Sequence, residues 1–363
     1  MKYLTEFRDP ALTKTLIQKI EKKAIQEVII MEVCGTHTMS IFKSGLRGLL
    51  PPQVRLISGP GCPVCVTPQS YIDTAIQLTE RQDVILTAFG DMLRVPGTEG
   101  SLMAQKSKGR DVRMVYSPMD AVQLALDNPH KEVVFLAVGF ETTAPAIALS
   151  VDQAKKADIH NYSILQSIKT MPNTMEALVV EEDIQIHGFL CPGHVSAVIG
   201  VKPYRFLSEK YGLPAVIAGF ESLDILMGIY HILDMMDKKD YKVVNEYTRL
   251  VSEEGNLKAL EMITKIFEVT ASVWRGLGSI EGTGLKLKQE YENYDTVKKL
   301  GIQMASEQPV KGCICGEILK GKACPLDCRL FSTACTPENP VGACMVSEEG
   351  TCAAYYKYGE FRD

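Results

Sequence analysis

Between residues 28 and 221, runs of apolar and largely β-branched residues recur, and most of them stop at a glycine beside a sulfur, an acid or an imidazole. Strands that are apolar throughout, rather than in alternation, are those buried on both faces. When they alternate with helical segments they imply parallel sheets covered by helices. In such sheets ligands sit beyond the carboxyl ends of the strands. The residues at those ends, Cys34, Cys62, Asp91, Glu141, His194 and Glu221, are therefore the first candidates for chemistry.

The apolar runs predict strands over 28–33, 54–57, 83–88, 112–115, 132–138, 184–190 and 215–218, with a weaker one over 163–165. Helices are expected from Pro10, over 71–82 and after Pro118. So many strands exceed a usual single sheet, and two α/β domains facing each other across a cleft are expected, at 27–130 and 131–235. Residues 1–26 with 236–363 form the third expected unit. There Leu257, Leu260, Ile263, Ile266 and Phe267 recur at helical spacing, and Val273 and Trp274 extend the stripe until Gly276 and Gly278 end the helix. The simple reading of that stripe is core packing.

The most distinctive stretch is Ser58-Gly59-Pro60-Gly61-Cys62-Pro63-Val64-Cys65. Its glycines and prolines break the strand and set two thiols in Cys-x-x-Cys spacing before a helix, whose N-terminus favours a thiolate. Such a pair closes as a disulfide or chelates a metal. The bland reading is half of a structural zinc site, which needs a second Cys-x-x-Cys or a histidine pair.

Cys34 also ends a strand before a helix, a position suited to an anionic metal ligand, with His37 near enough to share a metal or steady the thiolate. Set against this, Cys34 reads as a buried thiol and His37 as a solvated imidazole. Asp91 and Glu141 read equally as helix caps or as acid–base groups, and His194, in Pro192-Gly-His-Val-Ser196, reads equally as functional or not, with Ser196 as a cap of the next helix. Gly139–Pro145 holds no Walker pattern, and no G-x-G-x-x-G occurs, so nucleotide binding has no support.

Eleven cysteines are too many to dismiss as small core residues, and a reducing compartment argues against a disulfide framework as their main explanation. Cys34, Cys62, Cys65 and Cys191 are scattered among strand ends, and the rest crowd between Cys313 and Cys352 in a proline-punctuated tail. Thiols in number without histidine suit a [4Fe-4S] cluster; four-thiolate zinc and disulfides are the alternatives. The formal net charge of −5 gives no footing for nucleic acid, and the apolar runs are strand-sized rather than membrane-spanning. The charged stretch Met1–Arg8 lacks a signal-peptide core, so a cytoplasmic protein is expected.

Taken together, Cys34-Gly-Thr-His-Thr38, Gly59-Pro-Gly-Cys-Pro-Val-Cys65, Phe89-Gly-Asp-Met92, Gly139-Phe-Glu-Thr-Thr-Ala-Pro145, Pro192-Gly-His-Val-Ser196 and Gly219-Phe-Glu221 closely resemble the HypD family of hydrogenase maturation factors. In the tail, Cys315-Gly-Glu317, Cys335-Thr-Pro337 and Ser347–Ala354 continue the match. The resemblance implies a scaffold that, with a small HypC-type chaperone, holds iron while it gains two cyanides and one carbon monoxide. A HypE-type partner donates the cyanides, and the finished Fe(CN)2CO group goes to a [NiFe]-hydrogenase large subunit.

It further implies Cys34 as the iron ligand, shared with a cysteine of the chaperone, and His37 as its supporting neighbour. Cys62 and Cys65 would be a dithiol–disulfide pair, with Asp91, Glu141 and His194 lining the cleft. Cys315, Cys328, Cys335 and Cys352 would hold the [4Fe-4S] cluster, Cys313 competing with Cys315. Cys324 and Cys344 get no cluster role, and Cys344 is a candidate disulfide partner of Cys313 or Cys315. The other function class is an iron–sulfur thiol–disulfide oxidoreductase acting on a protein disulfide; a zinc-tailed binding protein is a third reading.

Overall fold

The computed structural model describes residues 6–181, 185–308 and 310–359. The parts of the expected units that fall on residues 1–5, 182–184, 309 and 360–363 lie outside it, as does most of the Met1–Arg8 stretch and the start of the strand expected over 184–190.

The strands in chain order are β1 (Val28–Glu32), β2 (Val54–Ser58), β3 (Val84–Ala88), the two-residue pair β4 (Pro96–Gly97) and β5 (Gly100–Ser101), β6 (Val112–Met114), β7 (Glu132–Gly139) and β8 (Tyr162–Lys169). They continue with β9 (Gly188–Pro192), β10 (Ala215–Ala218), β11 (Val243–Asn245), β12 (Phe267–Trp274) and β13 (Gly278–Leu287). One sheet has the order β11-β10-β9-β1-β2, every neighbour parallel. The other runs β12-β13-β8-β7-β3-β6, parallel from β8 to β6 with an antiparallel hairpin on the β8 edge. The expected α/β class with parallel sheets is what the chain adopts.

The sheets do not divide where the boundary at 130 was expected. β3 pairs with β7 across it, and β1 pairs with β9 from the far side of the second unit. Strand pairing follows which edges meet in space, so each sheet is assembled from separated pieces of chain. The stripe after residue 257 also differs from its expected continuation. The helix Leu257–Ile266, capped by Asn256, stops at Ile266, and Phe267–Trp274 is a strand. β-branched Val269, Thr270 and Val273 suit the hairpin, which pairs with the edge of β8 and gives the polar backbone partners there. The weak strand expected over 163–165 is the eight-residue β8, buried in the second sheet.

Three apolar layers hold the molecule together. Outside the first sheet, Leu16 and Ile20 of the helix Pro10–Lys23 and the helix Ser222–Lys238 pack on Ile30, Leu190 and Val216. Outside the second sheet, helices Pro118–Asp127, Ala144–Lys156 and Leu257–Ile266 cover Val133, Phe135 and Ile164. Between the sheets lies one shared core, in which Met31, Ile57 and Phe189 meet Leu86, Leu136 and Leu165. Cys62, Cys65, Cys191, Cys315, Cys335, Cys344 and Cys352 belong to that same core. Among the described residues no helix is long and apolar enough to cross a membrane.

Candidate functional site

β1 and β2 are neighbours in register, Glu32 opposite Ser58, so the loops that leave them emerge side by side. The first carries Cys34 and the second Cys62. Gly61 lies on the Cys34 backbone so closely that a Cβ there would stand 2.3 Å from the Cys34 nitrogen. The Gly35 amide donates to the Gly61 carbonyl at 3.1 Å. Cys62 caps the short helix Pro63–Val66, its sulfur accepting from the Cys65 amide, and the two cysteines are joined as a disulfide with Cα atoms 5.3 Å apart. That helix also lies against β7 of the second sheet.

Cys34 caps the helix Gly35–Lys43 and is buried. Its position is that of the buried thiol, one of the two readings of the sequence. Burial pushes the thiol up to about 12, the Glu349 carboxylate adds to this, and the His37 and Thr36 amides only partly oppose it. Glu349 comes from the far end of the chain. It accepts the Thr36 hydroxyl at 2.7 Å, and its backbone sits where a side chain on residue 35 would be. Beneath Cys34, the fully buried Glu32 accepts from Thr38 at 2.5 Å, and burial raises its carboxyl to about 7.

His37 is buried rather than solvated, and its ring does not hold the Cys34 thiol. Nε2 donates to the carbonyls of Ala218 and Gly219 at 3.2 and 2.9 Å, which leaves Nδ1 as an unpartnered acceptor. Burial lowers its pKa to about 4. Phe220 lies between the two histidines, with ring centroids 4.8 Å from His37 and 4.1 Å from His194. His194 is exposed, and its imidazole lies within the field of Glu349. Glu221, the remaining strand-end acid, caps the helix Ser222–Lys238 and pairs with Arg8 at 2.7 Å, a structural role.

Glu141, past the end of β7, accepts the Met171 amide at 2.8 Å through Oε1, while Oε2 is buried with no partner. Burial raises this carboxyl to about 7. The buried Tyr204 hydroxyl, past the end of β9, accepts from the Ser196 hydroxyl at 3.2 Å. Asp91 stands apart from this group. It is partly exposed and faces Arg94 at 3.7 Å, and Arg94 in turn donates to the Val346 carbonyl at 2.8 Å.

In the tail, Cys313, Cys315, Cys328, Cys335, Cys344 and Cys352 line one cavity, otherwise closed by hydrocarbon such as Phe331 and Met345. All are free thiols, Cys344 included, so the candidate disulfide from Cys344 is not formed. Cys344 is fully buried; the neighbouring Cys315 lowers its pKa, but Cys352 and burial outweigh this and hold the thiol well above its ordinary value. At Cys315 the contact with Cys313 lowers the pKa, but the contact with Cys344 and burial outweigh it and push the thiol up to about 12. Among the described residues no three His, Cys, Asp or Glu side chains converge as ligands of one ion would. A four-iron cluster asks instead for one thiolate at each of four separate irons. A cavity lined by sulfur and hydrocarbon alone, without carboxylate or imidazole, fits that demand. Cys324 lies outside it, its amide on the Asp327 carboxylate at 2.8 Å.

The HypD family model, described as the hydrogenase formation hypA family, matches residues 11–359. The chain belongs to the HypD family. It is 45% identical to the hydrogenase maturation factor HypD2 of Bradyrhizobium diazoefficiens, an alignment covering 100% of this chain and 98% of that protein. It is 44% identical to the hydrogenase maturation factor HypD of Rhodobacter capsulatus, over 100% of this chain and 99% of the relative. With the hydrogenase expression/formation protein HupD of Azotobacter chroococcum it shares 43%, over 100% and 98%. As a HypD-family chain it is a hydrogenase maturation factor. Sequence reasoning had not singled out Glu32, Tyr204, Arg275 or the place of Cys344 in the cavity. Glu32 sits in an apolar strand two residues before Cys34, and Tyr204 in the polar stretch Lys202–Arg205, where only the fold shows that it is buried.

Proposed function

We propose that this chain, together with a HypC-type chaperone, holds the iron of the hydrogenase active site while two cyanides and one carbon monoxide are attached. The substrate is the iron itself, delivered and removed as cargo. The observation that carries this reading is the adjacency of Cys34 to the Cys62–Cys65 disulfide at neighbouring strand ends, linked by the bond from Gly35 to Gly61. A low-spin iron bearing strong-field diatomic ligands is soft and is matched by thiolate sulfur. Cys34 supplies that sulfur. Buried as a neutral thiol, it gives up its proton when the metal's charge arrives. A cysteine of the chaperone would share the iron, and a HypE-type partner would bring the cyanides.

The residues around Cys34 have separable tasks. Glu32, which accepts from the Cys34 amide at 3.4 Å, and Glu349, which accepts from the neighbouring Thr36 hydroxyl at 2.7 Å, are the nearby carboxyls that would take the thiol proton. His37 Nδ1 and Glu141 Oε2 are buried polar atoms without protein partners, suited to orienting small polar cargo. Asp91 is kept as a cleft residue only in a lesser role, tied to the tail through Arg94. Opening the Cys62–Cys65 disulfide takes two electrons and two protons and yields two thiols next to Cys34. Cys315, Cys328, Cys335 and Cys352 would hold a [4Fe-4S] cluster, with Cys313 and Cys344 beside them. When bound, that cluster supplies one-electron redox chemistry.

The test is infrared spectroscopy of the chain copurified anaerobically with its small partner. Cyanide and carbonyl stretches are expected from the wild-type complex and lost in Cys34→Ala. Bands that persist undiminished in Cys34→Ala would remove Cys34 as the iron ligand. No bands, together with vigorous disulfide reductase turnover, would favour the oxidoreductase reading instead.

A further inference from the structure

Arg275 follows the last residue of β12 and is buried, only 6% exposed. Its backbone amide donates to the Val66 carbonyl and its Nε to the Thr67 carbonyl, both at 2.8 Å. Those carbonyls close the helix that carries Cys62 and Cys65. The strand end from which Arg275 projects is firmly held. Trp274 Nε1 donates to the Thr283 hydroxyl at 2.8 Å, and Lys169 donates to the Val273 carbonyl at 2.7 Å.

The guanidinium's other two nitrogens, Nη1 and Nη2, are buried and have no hydrogen-bond partner. An arginine cannot shed its charge, and a buried cation whose donors are left open is strongly disfavoured. The next residue shows what lies opposite. Gly276 is packed backbone to backbone on Gly316, so closely that a Cβ on Gly276 would stand 2.2 Å from the Gly316 Cα. Arg275 and Cys315 are the residues that precede these two glycines. The groups that feel the Arg275 charge include the sulfurs of Cys313 and Cys315.

We propose that Arg275 is the internal counter-ion of the cysteine cavity, its open guanidinium donors meeting the thiolate and sulfide sulfur of a bound iron–sulfur cluster. This rests on the reading of the tail as an iron–sulfur site. A fixed positive charge beside a cluster favours its more negative, reduced form and so raises its reduction potential. The same side chain reaches the Thr67 carbonyl that closes the helix of the Cys62–Cys65 pair, so the charge that sets the electron affinity of the cluster lies next to that pair.

The experiment is a potentiometric titration of the anaerobically purified full-length chain, followed by electron paramagnetic resonance, with iron and acid-labile sulfide measured on each sample. Arg275→Met is expected to lower the midpoint so that the one-electron reduction equilibrium falls at least tenfold, about 59 mV. Arg275→Lys, which keeps the charge, is expected to retain most of the wild-type value. Unfolding of the metal-free forms separates charge from bracing. The metal-free Met variant should melt no lower than metal-free wild type, because it loses a buried charge with open donors. If that variant folds but cannot keep the cluster, the counter-ion role is supported.

Equal midpoints in wild type and Arg275→Met overturn the proposal, as does a metal-free Met variant that melts well below wild type. Zinc without labile sulfide in the wild-type chain would instead overturn the iron–sulfur reading itself.

Discussion

The amide of Gly35 donates to the carbonyl of Gly61 at 3.1 Å, and this single bond ties the loop of Cys34 to the loop of the Cys62–Cys65 disulfide. Both partners are glycines for a steric reason. A Cβ on Gly35 would stand 2.4 Å from the Glu349 carbonyl oxygen, and one on Gly61 would stand 2.3 Å from the Cys34 nitrogen. Three distant parts of the chain thus close to backbone contact around one thiol.

Gly61→Ala is expected to destabilise the protein by about 1–3 kcal/mol, since the obstructing atoms are backbone held between two paired strands. Gly48→Ala, in a short helix with nothing within 4 Å of the added carbon, serves as the control and should be neutral or slightly stabilising. Thermal denaturation of both variants checks this. Equal melting temperatures would contradict the close packing at Gly61.

His37 predicts an acid-side loss of stability. Its folded pKa, near 4, lies below the ordinary 6.5, so the unfolded chain binds the proton first. The stability it contributes is complete above pH 6.5 and is lost as pH falls towards 4, at no more than about 1.4 kcal/mol per pH unit. Urea unfolding between pH 7 and pH 4 should show a shallower slope for His37→Gln than for wild type.

Glu141 acts with the opposite sign. Its folded pKa, near 7, is above the ordinary 4.5, so its contribution is complete below pH 4.5 and is lost as pH rises through 7. Glu141→Gln can keep the acceptor for the Met171 amide without taking on the charge. The variant is expected to gain on wild type between pH 5 and pH 8, and to match it at the acid end. Parallel pH profiles for the two proteins would show that Glu141 does not titrate in this range.

The cysteines of the tail should sort by position rather than by number. Cys352 and Cys344 are buried in the wall of the cavity, whereas Cys324 lies outside it. Cys352→Ala is expected to cut iron and labile sulfide content at least several-fold, and Cys324→Ala to leave it near wild type. Metal analysis after anaerobic purification decides between them, and equal losses from both would argue that the cavity is not the cluster site.

Much of this protein was legible in the order of its residues, for a local reason. Whether a strand is buried on both faces, and where glycine or proline ends it, are properties of a few consecutive residues. β1, β2, β3, β7 and β10 could therefore be read directly, and with them the placing of Cys34, Cys62 and Glu141 at strand ends. The Cys-x-x-Cys spacing is local in the same sense, since one turn of helix fixes how far apart its two sulfurs lie.

Pairing between distant strands, and burial, were decided only by the tertiary structure. The division of strands between sheets departs from chain order because edge matching is a long-range choice. The stripe after Leu257 turned into a hairpin because β8 offered an open edge. Whether Cys34 was an anionic ligand or a buried thiol, and His37 its partner or a solvated imidazole, stayed open in the sequence, and only the fold removed water from both. The tail cysteines share one cavity, and Gly276 meets Gly316 next to Arg275 and Cys315, long-range approaches that no local pattern encodes.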